Sequence, residues 1–189
     1  MKIWYKALSC VLGTASFLSS IVLPIFVIIS LPISNSTTIT GFNLKHVIKM
    51  LSSRSFSKFL NDLFFNSAYA DFVPKFFVAF IFFVVSIVLA LLIVLFSITK
   101  KKYIYNIVCS GLGVVSLIIS SVGVSAISVQ AAAGNIDFGK NTLDIFDDFI
   151  NLSAINCGSA YFMMGLCFLI IFIVSGSLAI AESQKTNKH

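Results

Sequence analysis

Apolar residues in this chain fall into four long runs, and charge appears only between and beyond them. Residues 7–31, 76–99, 103–133 and 152–181 contain no Asp, Glu, Lys, Arg or His. Each run exceeds the ~20 residues that an α-helix, rising ~1.5 Å per residue, needs to cross ~30 Å of hydrocarbon. Lipid offers a backbone no hydrogen-bond partner, so such runs must be helices or barrel strands. Continuous apolarity without a period of two is the helical pattern. The pattern predicts four transmembrane helices over about 7–31, 76–99, 104–131 and 154–181. They are joined by outer loops at 32–75 and 132–153 and by a tight turn at 100–103.

The first run follows Lys2 and Lys6, as a signal peptide would, but its 25 residues far exceed the usual 7–15. An uncleaved first helix is expected. Pro24 is a candidate kink within it. The third run, at ~1.5 Å per residue, should project beyond the bilayer. The second is almost entirely bulky and is expected to face lipid most.

Polar positions organise the loops. In the first outer loop the β-branched stretch SNSTTIT could form a short strand. From Asn43 the period turns helical, with Leu44, Val47, Ile48 and Leu51 on one face, then Phe56, Phe59, Leu60, Leu63 and Phe64. Lys45, Lys49, Arg54 and Lys58 lie between them, a candidate contact for a partner or for lipid headgroups. In the second outer loop Leu143, Phe146, Phe149 and Ile150 form a short amphipathic face flanked by Asp144, Asp147 and Asp148. These acids are candidates to pair with the basic segment, adding ~0–1 kcal/mol per exposed pair but orienting the two helices.

Composition fixes the solvent. The chain is 58% hydrophobic and 11% charged, against about 45–50% and about 25% in soluble domains. With a mean hydropathy of +1.02, residues 1–189 read as a single membrane domain. The net charge of +6 sits in small clusters at segment ends, which suits an anionic bilayer and not a nucleic acid. Lys100, Lys101 and Lys102 crowd the tightest turn, which favours cytoplasmic N- and C-termini in a multi-pass cell-membrane protein.

The chemistry is sparse. Cys10, Cys109 and Cys167 fall within apolar runs and Cys157 at a run's edge, without disulfide, CxxC or zinc spacing. No catalytic constellation, cofactor motif or metal motif is present in the sequence, and no run carries the intramembrane acid or base that marks an ion pathway. Two sequons, at Asn35 and Asn151, occur in a composition rich in Phe, Ile, Ser, Asn and Lys that resembles low-GC bacteria, where they would go unused. In lipid, helices approach through small residues. Gly13, Gly113, Ser116, Gly123, Gly158 and Gly165 are the candidate packing positions.

The expected fold is therefore an all-α membrane protein, a four-transmembrane-helix bundle with a small extracytoplasmic cap of short amphipathic helices. The expected role is a non-enzymatic scaffold, accessory or envelope-associated interaction protein. A small channel or transporter component is the alternative, and a membrane-embedded enzyme a more distant one. The lipid bilayer is the expected partner, joined by another membrane protein or a second copy of the chain.

Thr40-Gly41-Phe42-Asn43-Leu44 after the first run, and Gly158-Ser159-Ala160-Tyr161 opening the last, resemble segments of small, functionally uncharacterised bacterial four-span proteins. That resemblance implies a fold and no activity. The loop order also resembles claudins and tetraspanins. However, the first loop lacks Trp and a Cys pair, and Asn156-Cys157-Gly158 is not the tetraspanin Cys-Cys-Gly.

Overall fold

The computed structural model describes residues 2–30, 38–44, 72–99, 103–132 and 152–186. Four helices long and apolar enough to cross a membrane pack together: α1 (Ile3–Val22), α2 (Phe72–Thr99), α3 (Ile104–Ala132) and α4 (Ser159–Thr186). They run up and down in chain order, and each packs against two neighbours, closing a ring α1–α2–α3–α4. The α3 helix, 29 residues and so ~43 Å long, exceeds a ~30 Å hydrocarbon layer.

The first run divides. Its expected span ran to residue 31, yet α1 ends at Val22. Leu23 precedes Pro24, whose ring disfavours the helical region for the residue before it. Leu23 accordingly adopts φ −82°, ψ 154°, while its N–H still reaches Ser19 O at 3.0 Å. The β-branched residues that follow form β1 (Phe26–Ser30). Part of the SNSTTIT stretch, with the glycine after it, supplies β2 (Thr38–Phe42). The last run divides too: 152–157 is β3 (Leu152–Cys157), so α4 begins at Ser159 and not at 154.

The three strands form one antiparallel sheet in the order β2–β1–β3, with Ile28 paired to Thr40 on one side and to Ile155 on the other. The four-helix bundle is as expected; among the described residues, the end of the bundle next to the two long loops also carries a small sheet that the helical reading of the runs did not include. The end of the first apolar run and the start of the last become strand where Pro24 and Gly158 interrupt the helical register. The expected amphipathic cap helices, on segments with Lys45, Lys49, Arg54, Lys58, Asp144, Asp147 and Asp148, fall outside the described residues.

The core repeats the 3–4 spacing of helices. Phe83, Ile93, Val124, Met164, Phe168 and Ile171 are among its fully buried side chains. The α2 helix turns Ala79, Phe83, Ser86, Leu89, Ala90, Ile93 and Ser97 inward. It is therefore not the most lipid-facing span: 33% of its most apolar window is buried, against 28% for α4.

Candidate functional site

The inward face of α1 is small and polar: Tyr5, Ser9, Gly13, Ser16, Ser19 and Ser20 are all buried. In water such a stripe would be a weak core. In lipid it is the face that cannot be left outside, because an unpaired hydroxyl in hydrocarbon is costly.

At the end of the bundle opposite the sheet, this stripe joins a network that takes one residue or more from every helix. Asn106 of α3 is the hub. Its Nδ2 donates to Tyr5 Oη at 3.1 Å and to Ser97 Oγ at 2.9 Å. Ser97 of α2 meets Ser9 Oγ at 2.9 Å and Ile93 O at 2.7 Å. Ser9 donates to Tyr5 O at 2.7 Å. The Ser175 hydroxyl of α4 donates to the Ile171 carbonyl, so Tyr5, 2.5 Å away, is the donor in their pair. Ser110 returns to Asn106 O at 2.5 Å. Two buried polar atoms meet no partner among the described residues: Asn106 Oδ1 in this network and Ser16 Oγ on the α1 stripe.

Tyr103 closes this end. Its ring packs edge-on against Tyr5 with centroids 4.9 Å apart, and its Oη accepts the Lys2 backbone N–H at 3.1 Å. Burial raises the Tyr103 phenol above its usual range; Glu182 adds to the rise and the Lys2 hydrogen bond opposes it. Exposed Trp4 stands between Lys2 and Lys6 in the chain and exposed Tyr105 in the first turn of α3, the amphipathic residues found where helices leave a bilayer.

A second polar contact joins three helices near the sheet. Ser120 of α3 donates to Ala79 O of α2 at 2.5 Å, and Tyr161 of α4 donates to Ser120 Oγ at 2.7 Å. The Tyr161 ring lies 4.9 Å from Phe83. In β3, burial pushes the Cys157 thiol up to about 11.

The packing candidates occupy different settings. A Cβ added at Gly13 would stand 2.8 Å from Val94 Cγ2, and one at Gly113 2.8 Å from the Phe168 ring. At Gly123 it would stand 3.0 Å from Ala79 Cβ, and at Gly158 2.0 Å from Pro24 O. Gly165 has only Leu117 Cδ1, at 4.0 Å. Ser116 is buried on α3. Gly41 and Gly158, one from each segment that carries the bacterial resemblance, lie against Pro24.

Sequence reasoning treated small residues of the helices only as packing positions, and it passed over Asn106, Ser97, Ser175 and Tyr5. The available signal was Asn106 itself, an amide near the start of an uncharged apolar run whose one other amide, Gln130, lies towards its far end. The network holds hydroxyls and an amide, a set that can fix helices or accept one further donor. Among the described residues, no group of three His, Cys, Asp or Glu could hold a metal ion.

Fold and hydropathy together define a multi-pass membrane protein built on four helices. No family model, curated protein or solved structure matches the chain.

Proposed function

We propose that the protein is a non-enzymatic scaffold or accessory subunit of the bacterial cell membrane. Its N- and C-termini and the Lys100–Lys102 turn face the cytoplasm, and the sheet and the two long loops face outward. The supporting observation is how the interior is used. Tyr5, Ser9, Ser97, Asn106 and Ser175 hydrogen-bond to one another across all four helices, with only Asn106 Oδ1 left unpaired among them. Between the two polar layers the axis is filled by Phe168, Met164 and Ile93, each fully buried. Such an interior fixes the helices relative to one another and leaves recognition to the outer surface and the loops, where Lys45, Lys49, Arg54 and Lys58 are the first residues to alter.

Reconstitution into liposomes tests the proposal against the channel alternative. Proteoliposomes are expected to show no more ion or small-solute flux than empty vesicles. Flux that scales with the amount of protein, and falls on Phe168→Trp, would overturn the scaffold reading.

A further inference from the structure

Two grooves run down the outside of the bundle, one on each side of the α3 ridge at Ile118. Between α3 and α4 a groove of about 400 Å³ is lined by Val114, Leu117, Ser121, Phe162, Gly165 and Leu169, with no charged residue. Between α2 and α3 a groove of about 380 Å³ is lined by Val78, Ile119, Val122, Gly123 and Ala126 and opens beside Pro74 and Lys75. Similar in volume and in apolar lining, the two differ by one cation.

The geometry of the second groove follows from its residues. Gly123 lies so close to α2 that an added Cβ would be 3.0 Å from Ala79 Cβ, which sets a low floor. Val78 and Val122, 41% and 62% exposed, stand as walls. From Ile118 to Ala126 the groove runs eight residues along α3, ~12 Å of hydrocarbon depth. At its mouth Lys75 is half-buried in the first turn of α2, which contains no acidic residue. The positive end of the helix dipole favours an anion at that turn.

We propose that the α2–α3 groove binds an anionic phospholipid, with an acyl chain along Val78, Val122 and Ala126 and the headgroup phosphate on the Lys75 ammonium. The occupant is set by charge complementarity: an apolar trough inside the hydrocarbon layer ends, at helix-terminus level, on one cation. A zwitterionic lipid fits the trough equally well but carries its own cation to the same point. The α3–α4 groove, without a charge, accepts acyl chains without headgroup preference.

The test uses the full chain in vesicles. The one native tryptophan, Trp4, is replaced by Phe, and a reporter is placed at the groove wall as Val122→Trp or, for the other groove, as Leu169→Trp. Quenching is measured with dibrominated phosphatidylglycerol and dibrominated phosphatidylcholine, each in non-brominated phosphatidylcholine. At Val122→Trp, phosphatidylglycerol should associate about fivefold more strongly than phosphatidylcholine, the advantage of one basic contact at an anionic headgroup. Lys75→Gln should abolish the difference, and Lys75→Arg should keep it. Unchanged phosphatidylcholine quenching verifies that the Lys75 variants insert normally. Equal quenching by the two lipids would overturn the proposal, as would a preference that survives Lys75→Gln or appears equally at Leu169→Trp. Weak quenching by both lipids, with a disulfide-linked dimer from Val122→Cys, would assign the groove to a second copy of the chain and overturn it too.

Discussion

Gly158→Ala is the most demanding single change this fold offers. Gly158 lies between β3 and α4, where its N–H donates to Ile25 O at 2.7 Å and the next turn's Ala160 N–H donates to Pro24 O at 3.1 Å. A methyl group there would sit 2.0 Å from Pro24 O, 2.5 Å from Pro24 C and 3.0 Å from Ile25 C. Every one of these neighbours is backbone, so no side chain can rotate away. Restoring an ordinary 3.4 Å contact moves the Pro24 peptide by about 1.4 Å, enough to break both hydrogen bonds. Overpacking costs ~1–3 kcal/mol, and two lost hydrogen bonds cost ~0.5–1.5 kcal/mol each. The expected loss is about 2–6 kcal/mol. Titration of micelle-embedded protein with a denaturing detergent, followed by helical circular dichroism, measures it. Gly176→Ala provides the internal control: nothing lies within 4 Å of that position. It should be neutral, or stabilising by up to ~1 kcal/mol from helix propensity. A Gly158→Ala protein within ~0.5 kcal/mol of the parent, a typical surface-substitution effect, would refute the contact between this glycine and Pro24.

Two further outcomes follow from the polar groups. Tyr5→Phe and Asn106→Ala should each destabilise the bundle by ~1 kcal/mol and should couple in a double-mutant cycle by ~0.6 kcal/mol, the scale of interhelical hydrogen bonds in bilayers; strictly additive effects would remove Asn106 from the hub. Cys157, with its thiol pushed up to about 11 by burial, should alkylate roughly tenfold faster per pH unit from pH 8 to pH 10, whereas the denatured chain levels off near its ordinary pKa of ~8.5. Because the folded value is raised, this thiol's contribution to stability is full below the denatured-state pKa and is lost as pH climbs through about 11; peptide mapping that shows a plateau by pH 9 in folded protein would contradict the burial.

The solvent of this protein is written along its whole length, and so are its four helices. Charge-free runs of 24 residues or more without a period of two are the pattern of membrane-spanning helices. The ends of those runs were less legible. Phe26–Ser30 and Leu152–Cys157 are as apolar as the helices beside them, and hydropathy does not separate a buried strand from a buried helix. The decisive local signals were Pro24, which stops α1, and β-branched Val27-Ile28-Ile29 after it. Their antiparallel partners lie at 38–42 and 152–157, and no local pattern shows that three such segments meet. The site was hidden for a similar reason. Tyr5, Ser97, Asn106 and Ser175 are 9 to 92 residues from their nearest neighbours in the set, and each alone is an ordinary residue of a membrane helix.

The distribution of polar atoms explains why the bundle needs two such layers. Helices in lipid gain little from hiding leucine against leucine, so relative position must come from shape and hydrogen bonds. Shape operates along the middle, where Gly13 and Gly113 admit Val94 and Phe168. Hydrogen bonds operate at both ends, through Asn106 at one and through Ser120 and Tyr161 at the other. Neither layer alone fixes all four helices at both ends, because the Ser120 contact reaches α2, α3 and α4 but not α1. There the sheet completes the set: β1 continues directly from α1 and pairs with β3, which continues into α4. The strand pairing therefore does for α1 at the sheet end what Tyr5 and Ser9 do for it at the other.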